Sequence, residues 1–193
     1  MIKFTLDTNC LIEVDESRPC APSIEHLVRS AKLRTADVAI VASSASERQQ
    51  SGTYLTDFET FRSRMDRLGF GHIEILPPLL RWDMGFWHHG LWAGAGDARR
   101  EEEIFSVLFP TSTYSWSDWA NAERLDIDDT SSKSYRNWRN RILDAQAYWA
   151  HEYHQRDIFV TSDQNFRRLT KSPAFPAARI LSPQEAERLL KKP

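Results

Sequence analysis

The chain has 193 residues, of which 41% are hydrophobic and 27% are charged, and its formal net charge is −2. This length fits one domain, or one domain with an insertion, and the composition supplies enough apolar side chains for a substantial core. No run of 18 apolar residues is present, and Asp7 interrupts the first apolar run, which argues against a membrane span and a signal peptide. Cys10 and Cys20 are too few for a disulfide framework or a four-cysteine zinc site, so we predict a cytoplasmic protein with reduced thiols.

The charge is distributed unevenly along the chain. Residues 1–130 contain 13 Lys and Arg against 21 Asp and Glu, whereas residues 131–193 contain 12 against 6. An acidic cluster beside a basic third of the chain would suit a protein that holds cations next to a polyanion. A solvated surface explains the same distribution, and charge by itself favours that interpretation.

Strand and helix patterns alternate along most of the chain. Runs of apolar and β-branched side chains predict five short buried strands, at residues 2–6, 37–42, 72–76, 158–161 and 178–181. Helices are predicted between and after them, near residue 10, from 22, from 45 to 68, from 135 to 154, from 165 and from 183. Strands separated by helices predict an α/β fold with a parallel sheet covered on both faces.

Local signals mark several helix ends. Ser43 and Ser44 are predicted to cap the helix that begins at about residue 45, and Gly69 is predicted to end it. The sequence Ser182-Pro183-Gln184-Glu185 is a capping box with proline at the first helical position, and it predicts the start of the last helix. His151 is predicted to be an exposed helix-end residue and not a zinc ligand, because no third ligand or signature accompanies it.

Residues 77–130 interrupt the alternation and are predicted to be an insertion in a single domain of residues 1–193, helical from about Arg99 to Phe109. The segment is rich in tryptophan, with Trp82, Trp87, Trp92, Trp116 and Trp119. Such side chains can stack on nucleic-acid bases, but packing of the insertion onto the domain is the favoured interpretation.

Two predicted strands end in an aspartate. Asp7 directly follows the strand at 2–6, and Asp163 follows the strand at 158–161. Open α/β sheets place their chemistry at the carboxyl ends of strands, so we expect both side chains at a functional edge.

Two further acids lie on predicted helices. Glu47 lies on the first turns after the second strand, and Asp144 lies on the long helix before the fourth, on one face with Asn137 and Asn140. Four carboxylates in one pocket would repel each other and raise their pKa values unless a cation neutralised them. Mg²⁺ and Mn²⁺ take carboxylate oxygens as ligands, and a pair of such ions can promote hydrolysis of a phosphodiester.

The sequence resembles the PIN-domain family, the nuclease fold of bacterial toxin ribonucleases and of RNA-processing enzymes. The matching residues are Leu6-Asp7-Thr8-Asn9, Glu47, Asp144 and Val160-Thr161-Ser162-Asp163-Gln164-Asn165-Phe166. The resemblance covers residues 1–76 and 133–190. The Trp-rich segment 77–130 departs from it, because small toxin-like members have a short connection there.

The resemblance implies a three-layer α/β/α sandwich with a parallel five-stranded sheet in the order 3-2-1-4-5. It also implies Mg²⁺- or Mn²⁺-dependent endoribonuclease activity that leaves a 5′-phosphate and a 3′-hydroxyl. The implied metal ligands are Asp7, Glu47, Asp144 and Asp163. The supporting residues are Asn9, Asn140 and Thr161, and the candidates for phosphate contact are Arg141, Arg167 and Arg168.

Alternative interpretations are open at this point. Asp7 and Asp163 could serve only as helix N-caps. An inactive PIN-like domain could bind RNA or protein through the insertion. A receiver-type domain also gathers acids around Mg²⁺, but it needs a lysine where this chain has residues 180–183. The sequence leaves open a toxin role with an antitoxin-like partner, and it leaves open a homodimer.

Overall fold

A computed structural model of the chain describes residues 1–46, 58–81, 84, 89–92 and 94–191. Glu47, Trp82, Trp87 and the middle of the predicted helix from 45 to 68 lie outside the described residues. In the part of the chain that is described, no helix combines the length and the apolar character needed to cross a membrane.

The described residues form a five-stranded parallel sheet. Its strands are β1 (Lys3–Leu6), β2 (Asp37–Val41), β3 (Glu74–Leu76), β4 (Ile158–Val160) and β5 (Ile180–Leu181). Leu6 is paired with Ile40 of β2 on one side and with Val160 of β4 on the other, which gives the order β3-β2-β1-β4-β5. The α/β class and the order 3-2-1-4-5 are therefore confirmed.

Helices cover both faces of this sheet. They are α1 (Thr8–Asp15), α2 (Ala21–Lys32), α3 (Phe58–Arg67), α4 (Ala95–Leu108), α5 (Trp116–Glu123), α6 (Lys133–Tyr153) and α7 (Pro183–Leu190). Leu6 and Ile40 belong to one core, which they share with α1, α2, α3 and α7. Ala39 and Phe159 point to the opposite face and share a second core with α4 and α6. Successive side chains along each strand point to opposite faces of the sheet, so the sheet has a helical layer on each side and the fold has three layers.

One helix prediction needs correction. Ser43 and Ser44 lie within a 3₁₀ helix at Ala42–Ser46, and the Ser44 hydroxyl bonds the Thr8 hydroxyl, so the prediction of an α-helix cap is wrong. The short helix predicted from residue 165 is present, as a 3₁₀ helix at Gln164–Lys171. Gly69 follows α3 with φ of +81°, the left-handed conformation that suits a helix stop.

The insertion contacts the rest of the fold mainly through α4 and α6. Arg100 of α4 donates two hydrogen bonds of 2.9 Å to the carboxylate of Glu152 on α6. Trp116 of α5 packs against Trp138 of α6, with ring centroids 5.8 Å apart. Trp92, in contrast, is 78% exposed. The packing interpretation therefore describes Trp116, whereas most of the Trp92 side chain lies at the surface.

The prediction that His151 is exposed is wrong. Its side chain is 4% exposed on α6, and Nδ1 lies 3.0 Å from Oγ1 of Thr5 in β1. Burial lowers the pKa of His151 to about 3, and the positive charge of Arg156 acts in the same direction. A neutral imidazole therefore forms part of the contact between α6 and the sheet.

We expect the free energy of unfolding to fall by about 2 kcal/mol from pH 7 to pH 5 through His151. Between pH 7 and pH 5 the imidazole of the unfolded chain, with a pKa near 6.5, becomes protonated, whereas folded His151 stays neutral. Because the unfolded state binds the additional proton, acid favours unfolding. Denaturant unfolding of the wild type and of His151→Gln at both pH values measures this contribution. His154→Gln, at the half-buried C-cap position directly after the same helix, is the control. Equal pH dependence in all three proteins would contradict the assignment.

Candidate functional site

Asp7 occupies the point at which the strand order reverses. It directly follows β1, and its backbone N–H donates to the carbonyl oxygen of Val160 at 2.9 Å, so the pairing with β4 continues one residue further. Its side chain is buried. Doubly wound sheets bind ligands at such a switch point, beyond the carboxyl ends of the strands.

Three hydrogen bonds fix the carboxylate of Asp7. Oδ1 accepts from the backbone N–H of Thr8 at 2.8 Å, and Oδ2 accepts from Nδ2 of Asn9 at 3.0 Å and from Oγ1 of Thr161 at 2.6 Å. Asp7 thus caps the N-terminus of α1 through Oδ1, while the side chains of Asn9 and Thr161 hold Oδ2. The cap interpretation is correct for Oδ1, but it does not account for the contacts of Oδ2.

Thr161 links the two aspartates. Its hydroxyl donates to Asp7 and accepts a hydrogen bond of 2.9 Å from the backbone N–H of Asp163. Asp163 is half-buried and caps the 3₁₀ helix, since its Oδ1 accepts from the N–H of Asn165 at 2.8 Å and its Oδ2 from the Asn165 amide at 3.3 Å. Parallel pairing of β1 with β4 brings the two carboxyl groups to one edge.

The surroundings of Asp7 disfavour its negative charge. Burial raises the pKa of Asp7 to about 6, and the charge of Asp163 adds to the increase. The hydrogen bonds from Thr161, Asn9 and Thr8 act in the opposite direction but do not compensate. A cation at this carboxylate would oppose both the burial penalty and the repulsion.

Asp144 is half-buried on α6. His151 lies two turns later on the same helix face and contacts Thr5. Asp7 follows Thr5 by two residues, so both project from the side of the sheet that α6 covers. Asn140, one turn before Asp144, is exposed. Asp144 therefore lies on the helix face that packs over the side of the sheet bearing Asp7.

Three of the four predicted acidic ligands lie among the described residues, and the fourth, Glu47, lies outside them. Within the residues that are described, no group of three or more His, Cys, Asp or Glu side chains is placed to hold a metal ion. What the structure brings together is the pair Asp7 and Asp163, joined through Thr161.

Each of the three arginines predicted to contact phosphate has a partner within the protein. The partners are the Ser112 hydroxyl for Arg141, the Leu108 carbonyl oxygen for Arg168 and the Glu185 carboxylate for Arg167. The Arg167 pair spans 3.1 Å and is solvent-exposed, so it contributes at most about 1 kcal/mol. Of the three arginines, Arg167 therefore loses the least free energy when it leaves its protein partner for a phosphate.

The sequence interpretation missed the contact made by Ser44. Its Oγ lies 2.7 Å from Oγ1 of Thr8, and both side chains are buried. The available signal was a pair of serines directly after a buried strand, at the same edge of the sheet as Asp7. A serine at that position also fits a helix cap, which is the interpretation that the structure corrects.

No protein-family model matches this sequence, and a comparison with curated proteins finds no match either. The resemblance to the PIN-domain family therefore rests on the motif residues themselves.

Proposed function

We propose that this protein is a divalent-metal-dependent endoribonuclease of the PIN type, with Asp7 and Asp163 at the centre of its active site. The supporting observation is the burial of Asp7 beside a second carboxylate. Acidic side chains are almost never fully buried unless they are paired. Among the ion pairs of the described residues, none includes Asp7. A bound cation would supply the missing positive charge.

The donor set fits Mg²⁺ or Mn²⁺, which favour carboxylate oxygens. From the described residues, Oδ1 of Asp7 accepts one hydrogen bond and the oxygens of Asp163 accept only from Asn165, which leaves lone pairs on both carboxylates for a cation. Asp144 and Glu47 complete the proposed ligand set. When bound, the ion would lower the pKa of a coordinated water and offset negative charge on the phosphodiester.

The protein's own side chains have positioning roles in this proposal. Thr161 and Asn9 hold Oδ2 of Asp7, which leaves the free lone pair of Oδ1 with a fixed direction. Arg167 lies four residues after Asp163 and would contact a phosphate oxygen of the RNA once it releases Glu185. The basic C-terminal third of the chain would add a favourable field for a polyanion.

A second function is an inactive PIN-like module that binds RNA or another protein, such as an antitoxin. Two observations favour it: the phosphate-contact arginines already have protein partners, and Trp92 is exposed in the insertion. A large exposed aromatic side chain is a common component of a binding surface.

Incubation of a mixed RNA pool with Mn²⁺, with Mg²⁺ and with EDTA tests the first function. We expect fragments with 5′-phosphate ends in the presence of either metal and intact RNA with EDTA. Cleavage that continues in EDTA would contradict a metal-dependent site. RNA that is bound but left intact in all three buffers would support the binding module instead.

Replacement of Thr161 with valine should weaken metal-dependent cleavage by about 10- to 100-fold, the usual cost of losing a partner that orients a metal ligand. Valine keeps the shape but removes both the donor to Asp7 and the acceptor for the Asp163 N–H. Cleavage rates at saturating Mn²⁺ and the Mn²⁺ concentration for half-maximal rate measure the effect. Thr170→Val is the control, because it removes an exposed hydroxyl that donates to the carbonyl oxygen of Arg167, three residues earlier. Equal losses in the two variants would contradict the assignment.

A further inference from the structure

Asp7 is held from both neighbouring strands, and the support from β2 passes through Ser44. On the β4 side, the Thr161 hydroxyl donates directly to Oδ2. On the β2 side, Oδ1 accepts from the N–H of Thr8, and the Thr8 hydroxyl shares a hydrogen bond of 2.7 Å with the hydroxyl of Ser44. Ser44 lies in the 3₁₀ helix Ala42–Ser46 that follows β2.

The position of Thr8 makes this contact important for the carboxylate. Thr8 is the first residue of α1, so its N–H has no acceptor within the helix and points to Oδ1 of the N-cap Asp7. A side chain anchored at Ser44 restricts the orientation of the same peptide unit. The hydroxyl of Ser44 thus limits how far Asp7 can rotate.

Burial makes the contact difficult to replace. Ser44 is 1% exposed and Thr8 is also buried, so water has little access to either hydroxyl. Removal of one partner would leave the other buried without its hydrogen bond, a state that proteins disfavour. The result would be a local shift of Thr8 and of the N–H that it presents to Asp7.

The adjacent residue shows that burial of a serine hydroxyl here does not by itself imply a contact. Ser43 is buried to a similar extent, yet its Oγ has no hydrogen-bond partner among the described residues. The two serines share the same 3₁₀ helix and differ in this one respect. Ser43 is therefore a matched control for the loss of one hydroxyl group.

We propose that Ser44 is a positioning residue for the metal-binding carboxylate: by anchoring Thr8 it fixes Asp7 in the orientation that a divalent cation needs. The inference rests on the proposed metal site. Ser44 acts through Thr8 and makes no contact with the cation. The two strands that flank β1 then each provide one hydroxyl that orients Asp7, Thr161 from β4 and Ser44 from β2.

The test is direct Mn²⁺ binding to the wild type and four variants. The electron paramagnetic resonance signal of the free ion measures how much Mn²⁺ remains unbound. Ser44→Ala and Thr8→Val should each weaken the Mn²⁺ affinity about 10- to 100-fold. The double variant should be no weaker than either single variant, because both changes remove the same hydrogen bond. Ser43→Ala should match the wild type within twofold.

Amide hydrogen exchange of Thr8 in metal-free protein provides a second readout, and it should be faster in Ser44→Ala than in Ser43→Ala. Mn²⁺ affinity of Ser44→Ala equal to that of Ser43→Ala would overturn the role of Ser44 and leave the metal site intact. Independent, additive losses in Ser44→Ala and Thr8→Val would also overturn it. A wild-type chain that binds no Mn²⁺ would overturn the proposed function and this inference together.

Discussion

The Asp7→Asn variant should lose metal-dependent RNA cleavage by more than about 100-fold, because a lost metal ligand costs more than a lost orienting partner. Asparagine keeps the size of the side chain, and its single carbonyl oxygen can still accept from the N–H of Thr8, but its amide NH2 group cannot accept from Thr161 or Asn9. It removes the negative charge that would hold the cation. The fold should therefore persist while the activity disappears.

The same variant should be as stable as the wild-type chain or more stable in metal-free buffer at pH 7. Folded Asp7 has a pKa of about 6, whereas an ordinary aspartate carboxyl has a pKa of 3.8, so the native state retains the proton more strongly than the unfolded chain. The stability that this provides is complete below pH 3.8 and is lost as the pH rises through 6, a difference of about 3 kcal/mol. Asparagine carries no charge at any pH and avoids that loss.

Cleavage rates with Mn²⁺ and denaturant unfolding with EDTA measure the two outcomes for Asp7→Asn. Asp157→Asn is a suitable control, because Asp157 is exposed and lies at the opposite end of β4, where it accepts from the N–H of Lys3. A variant that cuts RNA normally would remove Asp7 from the site. A variant that loses activity only because it unfolds would show a structural role instead.

The largest effect on stability is expected at Arg156, which joins three strands at the end of the sheet opposite to Asp7. Its side chain is 3% exposed. It donates to the carbonyl oxygens of Phe4 in β1 and Asp37 in β2, at 2.8 and 3.1 Å, and forms a 2.8 Å ion pair with the Asp37 carboxylate. A weaker pair, at 3.6 Å, reaches Glu74 in β3.

Arg156→Met should lower the free energy of unfolding by about 3 kcal/mol, because methionine fills the space but leaves buried acceptors without donors. For a chain of this length the melting temperature should fall by roughly 10 °C. Thermal unfolding measures the change. Arg67→Met removes an exposed partner of Asp15 and should cost less than about 1 kcal/mol. Equal shifts in the two variants would show that Arg156 does not hold the strands together.

Local patterns were sufficient to predict most of the fold. The β-branched runs at β1 and β4 and the polar residues directly after them placed Asp7 and Asp163 at strand ends. The order of the strands came from the resemblance to PIN domains, since five short strands in sequence are compatible with several orders. The helix α5 was missed, although Ser115 caps it by accepting from the N–H of Asp118.

The contacts that shape the site could not be read in the same way, because they join residues far apart in the chain. Ser44 is 36 residues from Thr8, His151 is 146 from Thr5, and Arg156 is 152 from Phe4. Local sequence assigns such side chains to a helix cap or a helix end. Only the parallel pairing of β1 with its two neighbours brings them to their partners.

The measurement that tests the central claim most directly is a titration of the purified wild-type chain and of Asp7→Asn with Mn²⁺ at neutral pH. The claim is that the buried pair Asp7 and Asp163 is a cation site. It predicts saturable binding to the wild type and a loss of that binding in the variant. Absence of binding to the wild type, or equal binding to both proteins, would contradict it.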